Sequence, residues 1–146
     1  MGDMNTSTSN LEEARKFLDE KTARSLVLEE LFDLTLYERM RPHATGATAR
    51  MLEELIVVEQ GHYSFWKMVA DKDYGDLNFG HRVKMGLLLA VVRLFGEHGI
   101  HLILEGIEVR GIRHYLDLWK KHKGNALGAL IAPVLKDEVE HEDTIV

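Results

Sequence analysis

The chain has no cysteine, only two prolines and no long uninterrupted apolar run. Without thiols there is no disulfide, zinc ribbon, iron–sulfur cluster or cysteine nucleophile. The longest apolar stretch, 85–95, is interrupted by Arg93 and falls far short of the roughly 20 residues that span a bilayer. Basic residues are outnumbered, 18 against 24 acidic, for a formal charge of −6. No patch is basic enough to neutralise many phosphates, so nucleic acid is excluded as a partner. The first ten residues, MGDMNTSTSN, have neither the charged nor the apolar region of a secretory signal, and the expected location is cytoplasmic.

What is present is helical periodicity. A chain of 146 residues fits one domain with a sizeable core. The polar residues 1–10 are expected to be disordered and residues 11–146 to form the domain. Capping boxes at Ser9–Glu12 and Asn10–Glu13 place a first helical segment near Leu11. Whether it joins the next helix or breaks near Thr22 is open at this level. A helix over 23–41 is stopped by Pro42. A short link predicts that the next helix, over 52–70, runs antiparallel to it. The Asp- and Gly-rich stretch 71–80 reads as a loop, 82–95 as an extra helix, and Gly96 and Gly99 as its break. A third core helix over 98–123 ends before Gly124, and Asn125 caps a fourth, in which Pro133 makes a kink or marks the true start. The fold class is all-α.

Charged residues interrupt the apolar stripes of these helices. Leu52, Leu55, Ile56, Glu59, His62, Tyr63, Trp66 and Val69 share one face, so Glu59 and His62 occupy core positions. A carboxylate buried alone costs several kcal/mol, roughly, and requires a partner or a cation. One such pair also reads as a hydrogen-bonded Glu–His couple, but the pattern recurs. Leu127, Ile131, Val134, Glu138, His141 and Ile145 form another stripe, again with Glu-x-x-His. A lone Glu30 lies among Leu26, Val27, Leu31, Leu34, Tyr37 and Met40, and the third core helix aligns His101, Glu105, Glu108, Ile112, Tyr115 and Trp119. The halves echo one another: 29 residues separate Glu30 from Glu59, 30 separate Glu108 from Glu138, and a tyrosine follows each lone glutamate by seven, at Tyr37 and Tyr115.

Two hairpins joined by a long crossover that carries an extra helix are expected to form a ferritin-like four-helix bundle. A Glu from each of two helices and a Glu-x-x-His from each of the others is the donor set of di-iron and di-manganese carboxylate sites. Four carboxylates neutralise two divalent ions. Oxygen and imidazole donors suit Fe(II) or Mn(II) better than a thiophilic metal.

From about Ala23 onward the chain resembles the rubrerythrin branch of the ferritin-like di-iron proteins. The resemblance implies two bound iron ions, with Glu30 and one of Glu105 and Glu108 as terminal ligands. Glu59 and Glu138 would bridge, and His62 and His141 would each complete one iron. It also implies that the paired glutamates, Glu105 and Glu108, both serve, one of them once the ions are oxidised. Unlike true rubrerythrins, the chain lacks the cysteine pairs of a rubredoxin domain, so a built-in electron donor is not expected. The Leu-Phe-Gly break at 94–96 and the acidic run 137–142 look like the rubrerythrin-like domain that precedes vacuolar-iron-transporter-type membrane domains. The last helix stops only five residues after His141. Both features imply a soluble portion of a longer protein, held at the cytoplasmic face of a membrane.

The expected function is binding of Fe(II) and its oxidation by oxygen or peroxide. The alternatives are a non-catalytic iron-sensing or iron-delivery domain for an attached transporter, and a helical domain whose Glu–His pairs are structural only. The apolar stretch 87–95 reads as crossover core or as a homodimer interface. Asp137, Glu140 and Glu142 read as solvated.

Overall fold

The computed structural model describes residues 2–145, with side chains from 8 to 143. It contains α1 (Gly2–Phe17), α2 (Glu20–Met40), α3 (Gly46–Ala70), α4 (Phe79–Phe95), α5 (Glu97–His122) and α6 (Ala126–Ile145). No strand occurs among the described residues. The protein is all-α.

Local chemistry sets most boundaries. α1 begins at Gly2, well ahead of the start near Leu11 that the capping boxes suggest. It is held by long-range contacts that its polar composition does not announce. Ala14 is fully buried, and the Arg15 guanidinium donates to the last carbonyls of α3, Val69 O and Met68 O, both at 2.9 Å. The open question near Thr22 resolves as a break. Asp19 caps α2, its Oδ1 accepting from Thr22 N at 2.7 Å. A single 3-10 turn at Arg41–His43, carrying Pro42, separates α2 from α3.

Gly96 ends α4 with φ 60° and ψ −137°, a conformation that side-chain-bearing residues rarely adopt. Gly99 is no break but lies within α5. A Cβ there would sit 2.9 Å from Val91 O, so its missing side chain lets α5 approach α4. At the α5–α6 turn, Asn125 Oδ1 accepts from Gly128 N at 3.1 Å. Pro133 lies inside α6 rather than at its start.

α2 packs along α3 and α5 along α6, with α4 against α5 and α2, and α1 against α6. One apolar cluster joins Phe32, Leu36 and Met40, late in α2, to Leu52 and Leu55, early in α3, and to Ile100 and Leu104 of α5. The other joins Leu26 and Val27, early in α2, to Trp66 and Val69, late in α3, and to Leu127 and Ile131 of α6. Late-to-early pairing makes the α2–α3 hairpin antiparallel, and the candidate site lies between the two clusters. No described helix is long and apolar enough to cross a membrane.

Candidate metal centre

Six of the seven expected ligand residues converge. Glu30 from α2, Glu59 and His62 from α3, Glu108 from α5, and Glu138 and His141 from α6 are all buried. Their ligand atoms fall into two groups, each lying within 4.8 Å of one another: Glu30, Glu59, His62 and Glu138, then Glu59, Glu108, Glu138 and His141. Glu59 and Glu138 belong to both. This is the geometry that helical spacing demands, since residues three apart project side by side from one face.

The seventh, Glu105, does not join them. It is exposed and belongs to neither group. α5 is rotated so that Ile100, Ile103, Leu104 and Ile107 are buried, and Glu105 lies about 100° around the helix from Leu104. A fifth carboxylate from this position is therefore not part of the cluster. His101 is also outside it, its Nε2 lying 3.2 Å from Thr48 Oγ1.

Both histidines direct Nδ1 inward. His62 Nδ1 lies 3.3 Å from Glu138 Oε1 and 3.8 Å from Glu30 Oε2 and Glu59 Oε2. His141 Nδ1 lies 3.6 Å from Glu59 Oε1 and from Glu108 Oε2. Yet Glu30 Oε2, Glu59 Oε2, His62 Nδ1, Glu108 Oε2 and His141 Nδ1 are buried without a hydrogen-bond partner. An orphaned buried polar atom costs about 1–3 kcal/mol, more when charged. Five orphans of ligand type facing one space can be satisfied together by a cation, by added protons or by buried water. A divalent ion fits: the donors are oxygen and imidazole nitrogen, and the cluster can hold a metal ion.

The electrostatics carry the same message. Burial pushes the Glu30 and Glu59 carboxyls well above the usual range, with neighbouring carboxylates adding to the shift. Burial and the Glu108 charge raise Glu138 to about 9. Burial opposes protonation of His62, but Glu138, Glu30 and Asp137 outweigh it and raise its pKa to about 9. Burial would raise Glu108 too, but the close approach of His141 and Glu138 and the hydrogen bond from Tyr37 bring it below the ordinary value. Without a cation, the cluster retains protons at neutral pH.

Hydrogen bonds hold the ligands in place. Tyr37 of α2 donates to Glu108 Oε1 of α5 at 2.7 Å, and Tyr115 of α5 donates to Glu30 Oε1 of α2. Trp66 Nε1 donates in turn to the Tyr115 hydroxyl at 2.9 Å. On the outer edge of His62, Nε2 lies 2.9 Å from Asp137 Oδ2. Were Nδ1 to hold a metal, Nε2 would carry the proton and Asp137 would orient the ring. Asp137 reads from sequence as solvated, and nothing local distinguishes it from other surface aspartates. Its position beside Glu138 in the sequence is the only available hint.

Gly111 and Asp33 were also not legible as functional residues. A Cβ on Gly111 would lie 3.0 Å from Glu138 Oε2, so the missing side chain gives that carboxylate room. Asp33, one turn beyond Glu30, has Oδ1 shielded and without a hydrogen-bond partner. Burial and the nearby Glu30 charge raise its pKa. Both residues line a cavity of ≈ 170 Å³ that also meets Glu29, Glu30, Arg110 and Glu138. None of the known protein-family models, curated proteins or solved structures compared with this chain matches it.

Proposed function

We propose that this chain is a ferritin-like, rubrerythrin-like di-metal domain that binds two iron ions and oxidises Fe(II) with oxygen or peroxide. The observation that carries this reading is the pair of four-residue groups sharing Glu59 and Glu138, with five buried ligand atoms left without hydrogen bonds. Glu30 and His62 would hold one ion, Glu108 and His141 the other, and Glu59 and Glu138 would bridge them. Four carboxylates balance two divalent charges, which makes burial of the filled site tolerable. Mn(II) fits the same donors.

Iron bound there supplies one-electron redox chemistry. Two Fe(II) together give up the two electrons that, with two protons, turn oxygen into hydrogen peroxide or peroxide into two waters. The chain's own residues do the rest. Apolar clusters on both sides limit access of water, Tyr37 and Tyr115 hold the outer ligands, and Asp137 keeps the His62 ring turned inward.

A second reading, uptake and release of iron toward an attached membrane transporter domain, is supported by the cavity that reaches Glu30 and Glu138. An ion that can arrive by it can also leave. Anaerobic Fe(II) titration followed by admission of oxygen tests both readings. Two ions per chain and a rapid near-ultraviolet ferric absorbance are expected for oxidation. The same stoichiometry without the ferric band favours delivery, and no Fe(II) binding refutes both.

A further inference from the structure

We propose that the cavity between α2 and α5 is the port through which a divalent cation reaches the buried cluster, with Glu29 and Asp33 as successive transit carboxylates. This rests on the metal-binding reading of the six-residue cluster and adds a route to it. The mouth is marked by the Glu29 and His114 side chains, about a third exposed and 3.4 Å apart. The floor is formed by Glu30 and Glu138, both almost fully buried. Glu30 Oε2, at that floor, has no hydrogen-bond partner.

Between mouth and floor stands Asp33, whose Oδ1 is shielded from solvent and also unpartnered. It lies too far out to belong to either ligand group. Glu29, Asp33 and Glu30 occupy neighbouring positions on α2 and define a short acidic track. Across the cavity, α5 presents Gly111 at the floor, where even a methyl group would press on Glu138. Four acidic side chains against the single guanidinium of Arg110 line the passage with oxygen donors that a cation meets as they give up protons, and that an anion cannot use.

A second opening reaches His62 between α3 and α6, but its walls are Phe65, Ala129, Leu130, Pro133 and Val134, with Asp137 its one carboxylate. A hydrated divalent ion gains little from such walls. The acidic cavity is the better cation path.

A transit residue changes how fast an ion arrives and leaves but not where it rests, so it moves both rate constants together and leaves Kd unchanged. A ligand changes Kd. Stopped-flow mixing of the metal-free protein with Co(II), followed by its d–d absorption, measures both rates, and equilibrium titration measures Kd. Asp33→Asn and Glu29→Gln should each slow association about tenfold, the lower end of electrostatic focusing effects. Dissociation should slow in proportion, with Kd held within about twofold, and added salt should shrink the difference. Arg110→Gln should speed association. Wild-type association rates in both carboxylate variants would overturn the port. So would faster dissociation alone in Asp33→Asn, which would make Asp33 an outlying ligand. Slowing by Leu130→Trp without slowing by Asp33→Asn would move the route to the α3–α6 opening. Absence of Co(II) binding to the wild-type protein at equilibrium would instead remove the metal site itself, and the port with it.

Discussion

The Tyr37 hydroxyl donates to Glu108 Oε1 across the α2–α5 interface at 2.7 Å, and the Tyr115 hydroxyl answers it in the opposite direction by donating to Glu30. Each tyrosine follows by seven residues the glutamate on its own helix but bonds the glutamate of the other. The internal echo in the sequence is thus an approximate two-fold exchange in space. It ties the two hairpins together at the level of the cluster.

Removing either hydroxyl strands a buried carboxylate oxygen. Tyr37→Phe should lower the unfolding free energy of the metal-free protein by about 1–3 kcal/mol. Tyr115→Phe should cost more, because Trp66 Nε1 loses its acceptor as well. Urea denaturation of both variants checks the order.

The two helix-α5 glutamates should behave differently. Glu105→Ala, at an exposed position, should keep wild-type metal stoichiometry and change stability by no more than about 0.5 kcal/mol. Glu108→Ala should lose binding at one of the two positions. Glu59→Gln should abolish paired binding yet stabilise the metal-free protein, since it removes a buried carboxyl that must take up a proton to fold. Calorimetric titration with Mn(II), paired with thermal melts, separates the three.

Protonation should make the metal-free protein less stable at high pH. His62 is raised from 6.5 to about 9, and Glu138 from 4.5 to about 9. Both bind protons more tightly when folded, so their stabilisation is complete below the unfolded values and lost as pH rises through about 9. The Tm of the metal-free protein should therefore fall from about pH 4.5, where Glu138 begins to contribute, to about pH 9. Metal binding should strengthen over the same range, because the ligands must shed protons to coordinate. Melting curves with and without Mn(II) across that range should diverge as pH increases.

Asp137→Ala leaves every proposed ligand in place but frees the outer edge of His62. Metal affinity should weaken by about 10–100-fold, with stoichiometry retained. Unchanged affinity in a Mn(II) titration would show that the contact at 2.9 Å does not orient the ring.

Local sequence determined much of this architecture because helices advertise themselves locally. The 3.6-residue recurrence of Leu52, Leu55, Trp66 and Val69 specifies a buried face without reference to any other helix, and Glu59 and His62 inherit burial from that face. The same holds for Glu30 in α2 and for Glu138 with His141. Tertiary packing decided what periodicity leaves degenerate. Glu105 and Glu108 differ by only about 60° around α5, and the burial of Ile100, Ile103, Leu104 and Ile107 selects Glu108. Asp137, 75 residues from His62, and Asp33 beside Gly111 acquire their settings only when separate helices meet. The long-range anchoring of α1 through Arg15 is of the same kind. A helix's own face is encoded within a few turns of chain, whereas the partner each face meets depends on the shape and rotation of the neighbours that compete to cover it.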